Sequence, residues 1–234
     1  MRLDKFIADA GIGSRKEIKQ ALKEGIVCVN GEICKNAATH INPETDVISF
    51  AGQEIEYKPF VYLMLNKPAD TVSATYDNRD TTVISLVPEE YSHYELFPVG
   101  RLDKDTEGLL LITNDGVLSH NLLSPKKHVD KRYFARLDGA IAEGDKEKFA
   151  SGIVLDDGYK TLPACLEGEI GDTEAYVTIQ EGKFHQVKRM FADVGKHVTY
   201  LKRVSFGKLL LDKSLSPGEM RELSAEELSL LKGE

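Results

Sequence analysis

An acidic residue between two cations is the first group in this sequence that could do chemistry. Asp103 lies between Arg101 and Lys104 in a polar segment, and an apolar run at residues 109–113 follows. The apolar run predicts a buried strand, which would hold the polar loop in place. Asp103 could then act as a nucleophile or a base, kept ionised by a neighbouring cation. A capped, charged surface turn is the alternative that these residues leave open.

A second segment, residues 181–191, combines cations with a helical pattern. Apolar residues within 187–194 recur at helical spacing and predict a helix that ends at Gly195. At about 100° per residue, Lys188 lies at the flank of the apolar stripe and can reach inward toward a carboxylate. Arg189 and His185 face outward, where they could meet phosphate groups. An ordinary solvated helix face fits the same pattern.

An aromatic residue beside two cations opens a further predicted strand. Tyr133 follows Lys131 and Arg132, and a tyrosine in that setting can stack on a nucleic-acid base while its neighbours hold phosphate. A tyrosine in the protein core is the competing interpretation. Lys67 precedes a proline at the end of another predicted strand, residues 61–65, where proline ends the pairing.

Two helices and a hairpin are predicted at the start of the chain. Apolar spacing at residues 3–10 predicts the first helix, and Ser14 forms a capping box with Glu17 that opens the second. Asn30 followed by Gly31 is typical of a tight hairpin turn between two strands. This start of the chain therefore has its own local order.

The rest of the chain carries short apolar runs that predict strands, with two or three helices among them. This pattern indicates an α+β fold around a mixed, largely antiparallel sheet. A linker-like stretch at residues 54–59 places the predicted domain boundary near Lys58. We therefore predict one domain at residues 1–58 and a second at residues 59–234.

The composition is typical of a globular protein and argues against a disordered, collagen-like or low-complexity chain. The chain has 234 residues, of which 41% are hydrophobic, and its net charge of −8 is segregated along the sequence. Residues 142–178 contain nine acids and three lysines, whereas residues 181–208 contain seven Lys or Arg and two acids. Because binding depends on local fields, a basic surface for nucleic acid can coexist with an acidic total.

Targeting, redox and cofactor signals point to the cytoplasm and to no cofactor. No apolar run approaches the roughly 18–20 residues of a membrane helix, and charges interrupt the amino end where a signal peptide needs its apolar core. Three cysteines without paired spacing disfavour a disulfide framework and a structural zinc site. Phosphate-loop, dinucleotide-binding and hydrolase motifs are lacking. We expect no metal and no membrane partner.

Taken together, these segments resemble the RNA pseudouridine synthases that carry an amino-terminal S4 domain. Residues 100–116 read GRLDKDTEGLLLITNDG, and residues 67–68, 131–133 and 181–191 match the family's other motifs in order. The opening residues and the Val-Asn-Gly at 29–31 are similar to the S4 domain. The resemblance implies a small αα-hairpin S4 domain of the αL type, followed by a catalytic domain with helices flanking its sheet.

The resemblance also implies the reaction and the roles of residues. A uridine in RNA is detached at its N1–C1′ bond, rotated and rejoined through C5, which needs no cofactor. Asp103 would be the catalytic carboxylate, Lys188 its charge partner, and Tyr133 the ring that stacks on the flipped base. Arg101 would hold the nucleotide out of its helix. We predict further RNA contacts from Lys67, Lys131, Arg132, His185, Gln186, Arg189, Arg2, Lys5, Arg15, Lys16 and Lys19.

Within the family, the motifs resemble those of the subgroup that modifies small-subunit (16S) ribosomal RNA. This predicts one target, uridine-516 by ribosomal RNA convention, presented to a monomeric enzyme in a partly assembled subunit. A large-subunit (23S) enzyme of the same architecture and a non-catalytic S4-type assembly factor are the alternatives. One departure from the family is Asp70, where glycine is common, and aspartate tolerates a positive φ better than most residues.

Overall fold

The chain folds as two units, each with its own helices and sheet. The computed structural model describes residues 1–233, and only the backbone of Pro125. The first unit contains residues 1–61 and 87–95, and the second contains residues 62–86 and those from 96 onward. In the described part of the chain, no helix is long and apolar enough to cross a membrane.

The first unit has two helices and a four-stranded antiparallel sheet. Ser14 and Glu17 form the predicted capping box, and Gly25 ends that helix with φ of 77°. Asn30 and Gly31 form the predicted hairpin turn, both with positive φ. The elements are α1 (Leu3–Asp9), α2 (Arg15–Glu24), β1 (Val27–Val29), β2 (Glu32–Ile33), β3 (Ile48–Phe50) and β4 (Gln53–Glu54). The strands lie in the sheet in the order β2-β1-β3-β4.

The second unit is built on a nine-stranded sheet with four α-helices. The strands are β5 (Tyr62–Lys67), β6 (Phe97–Pro98), β7 (Glu107–Thr113), β8 (Lys131–Leu137), β9 (Cys165–Glu167), β10 (Glu174–Ile179), β11 (Val198–Phe206), β12 (Leu209–Leu210) and β13 (Met220–Glu222). The α-helices are α3 (Gly116–Leu123), α4 (Asp145–Ser151), α5 (Gln186–Asp193) and α6 (Ala225–Lys232). Short 3-10 helices occupy Ile84–Leu86 and Pro125–Lys127, with a third, Glu89–Tyr91, in the first unit.

Strand pairing confirms the predicted sheet. The strands follow the order β13-β5-β7-β11-β8-β10-β9, with β12 beside β11 and β6 beside β7. Among the described strands, β7 and β11 are the one parallel pair, and every other neighbouring pair is antiparallel. The sheet is therefore mixed and largely antiparallel, as the sequence predicts.

Alternation along β8 separates two faces of this sheet. Lys131 and Tyr133 lie on the buried face together with two apolar residues of the strand, whereas Arg132, Phe134 and Arg136 lie on the opposite, more exposed face. Successive side chains of a strand point to opposite faces. The predicted trio at 131–133 is therefore divided between the two faces.

Gly108 brings β7 close enough to pair with β11. Gly108 has φ of 101°, and a Cβ at this position would lie 2.2 Å from the backbone oxygen of Arg203 and 2.8 Å from its nitrogen. Glycine is therefore required both by its backbone conformation and by the approach of the next strand.

We expect Gly108→Ala to destabilise the protein by about 2–6 kcal/mol. Steric overlap in a packed core costs about 1–3 kcal/mol, and a strained backbone conformation costs about as much again. Urea unfolding of both proteins measures the difference. Gly116→Ala is the control, because a Cβ there meets nothing within 4 Å. Equal midpoints for Gly108→Ala and wild type would contradict this account of the strand pairing.

Candidate active site

The loop that carries Asp103 is held from within the second unit by two side chains. The Ser73 hydroxyl donates to Leu102 O and accepts from Leu102 N, both at 3.0 Å. The Lys67 ammonium donates to three backbone oxygens, at distances of 3.0, 3.1 and 2.8 Å, and these belong to Pro68, Lys104 and Thr106. The backbone on each side of Asp103 is thus fixed, which favours a defined position for its carboxylate.

Lys67 does not face RNA, contrary to our prediction. Its side chain is completely buried, with 0% exposed, at the end of β5. Burial lowers the pKa of Lys67 to about 8, although the nearby carboxylates of Asp105 and Asp103 act in the opposite direction. Because its three hydrogen bonds all go to backbone, Lys67 positions the loop rather than contacting substrate.

Asp103 shares the Lys188 ammonium with a second carboxylate, that of Asp105. Lys188 Nζ lies 3.2 Å from Asp103 Oδ2 and 2.6 Å from Asp105 Oδ1. Lys188 therefore reaches inward from α5 to the carboxylate, as its flanking position predicts. The Asp103 side chain remains 26% exposed, so one edge of it is open to a ligand.

His185 lies on the other side of the Asp103 carboxylate. Its Nε2 is 3.7 Å from Asp103 Oδ1, and its backbone has φ of 49° immediately before α5. The ring of Phe184 stacks on His185, with centroids 3.8 Å apart, and Phe184 is 69% exposed. Phe184 lines a cavity together with Asp103, and an exposed aromatic ring there is able to stack on a base.

Tyr133 and Arg101 complete the group around Asp103. These three residues line one small cavity of about 60 Å³ between the loop and the sheet. Tyr133 is buried on β8, and its hydroxyl bonds to no other residue in the range 1–233. Arg101 is exposed and makes no ion pair with a described residue. Both side chains are therefore available to a substrate.

Three residues that we predicted to contact RNA have hydrogen-bond or ion-pair partners within the protein. Arg132 lies on the opposite face of β8 from Tyr133 and bonds to Glu167 at 2.7 Å. The Arg189 guanidinium is held by two carboxylates, which belong to Asp156 and Asp157. Gln186 is buried and bonds to the loop before α5, accepting from Lys183 N and donating to Glu181. The sequence pattern did not indicate the partners of Arg132 and Arg189, because they are more than 30 residues away along the chain.

The cations predicted on the first unit lie on its surface. All five are exposed, and Arg2 pairs with Asp4 at 2.7 Å. Phosphate contact requires such exposure. The five residues are Arg2, Lys5, Arg15, Lys16 and Lys19.

Sequence reasoning missed three residues at or near the site. Asp105 contacts the same ammonium as Asp103, and its pKa is lowered overall because the Lys188 hydrogen bond and charge outweigh partial burial. Phe184 is exposed beside His185, and Arg203 is buried in β11 opposite Tyr133. The usable signal for Arg203 was its alternation with Leu201 and Ser205, which share its buried face of β11.

Asp70 has φ of 61°, the left-handed conformation that the comparison with glycine predicts for this position.

Among residues 1–233, no group of three or more His, Cys, Asp or Glu side chains could hold a metal ion.

Comparison with known proteins gives consistent matches along the whole chain. The chain matches the RNA pseudouridylate synthase family over residues 61–193 and the S4 domain over residues 1–48. It is 50% identical over 234 residues to the uncharacterized RNA pseudouridine synthase YtzG of Bacillus subtilis, with 99% of this chain and 98% of the relative covered.

Two further matches have comparable coverage. The chain is 42% identical over 230 residues to ribosomal small subunit pseudouridine synthase A of Escherichia coli strain K12, covering 98% of this chain and 99% of the relative. A crystal structure of a pseudouridylate synthase matches with a TM-score of 0.69 and 38% identity, covering 99% of each chain.

Proposed function

The chain belongs to the RNA pseudouridine synthase family and is an isomerase with an S4 domain, and from this premise we propose that it modifies one uridine of small-subunit ribosomal RNA. The observation that carries this choice of RNA is the 42% identity, over almost the whole chain, to the small-subunit enzyme of Escherichia coli. We propose uridine-516, by ribosomal RNA convention, as the target.

We propose that Asp103 is the carboxylate that acts on the ribose. The reaction breaks the N1–C1′ bond and forms the C5–C1′ bond; C5 loses a proton and N1 gains one. Asp103 either attacks the ribose or serves as a base on it, and both roles need an ionised carboxylate with an open edge. The Lys188 ammonium lies 3.2 Å from this carboxylate, and the 26% exposure of Asp103 supports access by substrate.

We propose that the base of the flipped uridine stacks on Tyr133 while Arg101 fills the space that it leaves. Tyr133 lines the same cavity as Asp103, and Arg101 is exposed at its edge. Extruding a base costs a few kcal/mol of stacking, which contacts in the pocket and from inserted side chains offset.

We propose that residues 1–58 form the RNA-binding domain and residues 59–234 the catalytic domain. The exposed cations of the first unit support phosphate contact, which positions RNA without reading its sequence. Tethering two RNA-contacting domains raises the effective concentration of the second contact. We propose that a monomer acts in the cytoplasm on a partly assembled subunit.

Mapping of pseudouridine tests the choice of RNA. Purified protein is given naked small-subunit RNA, assembling small-subunit particles and large-subunit RNA in separate reactions, and modified positions are mapped in each. We expect one modified uridine, in the small-subunit samples. Modification confined to large-subunit RNA would replace the proposed target and leave the reaction class intact. Binding without modification of any sample would favour the assembly factor.

Replacing Tyr133 separates the ring from its hydroxyl. We expect Tyr133→Phe to retain more turnover than Tyr133→Ala, because a base–aromatic stack is worth about 1–3 kcal/mol. Single-turnover rates at saturating RNA give the comparison. If the Phe variant is as inactive as the Ala variant, the free hydroxyl matters more than the ring and stacking is not the main role.

A further inference from the structure

Two buried cations lie side by side on the Tyr133 face of the sheet. Lys131 opens β8 and is 9% exposed, and Arg203 in the neighbouring strand β11 is 3% exposed. Both pack over the ring of Phe206, with the Lys131 ammonium 5.3 Å and the Arg203 guanidinium 5.0 Å from its centroid. In the strand register, Arg203 is the direct partner of Tyr133.

Neither cation has a carboxylate within ion-pair distance among residues 1–233. Lys131 Nζ donates to Val129 O at 2.9 Å, and Arg203 Nε donates to Leu109 O at 2.8 Å. Across residues 1–233 neither makes an ion pair, and the terminal nitrogens of Arg203 have no hydrogen-bond partner. Buried charges without a partner are costly, so such a pair is unusual unless a ligand supplies the missing anion.

The two acids that act on Lys131, Asp130 and Glu181, accept hydrogen bonds from other groups. Asp130 accepts from the side-chain amide of Gln180 at 3.0 Å. Glu181 accepts from the Tyr159 hydroxyl, from the Leu162 backbone and from Gln186. Burial, and then repulsion by Arg203, lower the pKa of Lys131 to about 8 despite these two acids. Among the described residues, no carboxylate therefore forms an ion pair with Lys131 or Arg203.

Both cations line a cavity of about 660 Å³ that adjoins the proposed uridine pocket. The two cavities share Arg101 and Tyr133 in their walls. Glu181 is the single acid among the residues that line the larger cavity. The other basic residues lining it are Arg101, Lys126, His128 and Lys183. Six basic residues and one acid line this cavity, so it suits an anionic group beside Tyr133.

We propose that Lys131 and Arg203 form a binding site for one phosphate group of the RNA backbone, on a nucleotide next to the target uridine. This inference rests on the proposed function, because it takes RNA as the substrate. The free terminal nitrogens of an arginine form a planar fork that matches phosphate oxygens, and the lysine adds a point charge. Fixing this phosphate beside Tyr133 orients the strand so that the flipped base enters the neighbouring pocket.

Removing charge from the RNA tests the site without altering the protein. Hairpins that span uridine-516 are prepared with a neutral methylphosphonate at one flanking phosphate at a time, and affinity and single-turnover rate are measured with wild-type protein. We expect one position to weaken binding by about tenfold to a hundredfold, the range for a charge-assisted contact. Uniform, small effects at all flanking positions would overturn the proposal.

Variants of Lys131 and Arg203 test whether these two side chains contact the phosphate at that position. Lys131→Met and Arg203→Met should weaken binding of unmodified RNA by a similar factor, and should then be insensitive to the methylphosphonate at the same position. Such non-additivity is the signature of direct contact. Arg136→Met is the control, because Arg136 lies on the opposite face of β8 and pairs with Glu174. Its effect should be additive with every methylphosphonate. Additive effects for Lys131 and Arg203 would overturn the assignment.

The same experiment distinguishes a variant that fails to fold from one that folds but loses the phosphate contact. Thermal unfolding identifies a variant that fails to fold, and Arg203→Lys, which keeps the charge, should retain part of the methylphosphonate sensitivity. Pseudouridine formed from unmodified RNA reports on the proposed function alone. Conversion without any phosphate dependence refutes the site but not the function, whereas phosphate dependence without conversion refutes the function but not the site.

Discussion

Asp103→Asn should reduce pseudouridine formation by about 10⁴-fold or more, the scale of removing a nucleophile or base that the chemistry requires. The amide is nearly the same size as the carboxylate but carries no charge and cannot attack or accept a proton as Asp103 would. Stability and RNA affinity should stay close to those of wild type, because binding depends mainly on phosphate contacts. Product yield, Kd and thermal unfolding are measured on the same preparation.

Asp105→Asn is the matched control for this prediction. It removes the other carboxylate that contacts Lys188, at 2.6 Å, and leaves Asp103 in place. We expect turnover to stay within about tenfold of wild type. Asp105 acts on the reaction only through Lys188, and losing such a residue costs less than losing the reacting group. Equal losses in the two variants would mean that the charge around Lys188, rather than Asp103 itself, is what the reaction needs. An active Asp103→Asn protein would remove Asp103 from catalysis.

Lys67→Met should lower turnover by about a hundredfold although Lys67 is completely buried and does not face the cavity. Methionine fills similar volume but leaves three backbone oxygens without their donor, at Pro68, Lys104 and Thr106. Each unsatisfied buried group costs about 1–3 kcal/mol. The loop then loses its defined position, and a shift of about 1 Å at the reacting group is enough for a hundredfold loss.

Urea unfolding and single-turnover kinetics together check this prediction. We expect a loss of about 3 kcal/mol in the free energy of unfolding, and a rate defect that saturating RNA does not repair. Lys104→Met is the control: that lysine is in the same loop but exposed, and it pairs with Asp80. A surface pair contributes about 0–1 kcal/mol, so the control should behave like wild type. A Lys67→Met protein with a normal rate would show that the loop holds its position without Lys67.

Local elements and the chemical class were predictable from the sequence. The capping box at Ser14, the hairpin at Asn30 and the flanking position of Lys188 on α5 all depend on residues within a few positions of one another. Short-range hydrogen bonds and helix periodicity are encoded locally, and for that reason they were predictable. The ordered motifs indicated the family, because they place an acid, a cation and an aromatic ring at separate points of one chain.

The tertiary structure alone decided which side chains share a cavity and which are neutralised. Lys67, which we predicted to contact RNA, lies buried among backbone oxygens, whereas Arg189 is held by Asp156 and Asp157. The association of residues 87–95 with the first unit likewise depends on packing. The pairing of β11 with β8 brings Arg203 beside Lys131, 72 residues earlier in the chain. Charge and hydrogen-bond partners across such distances follow from strand order and register, which local sequence patterns do not specify.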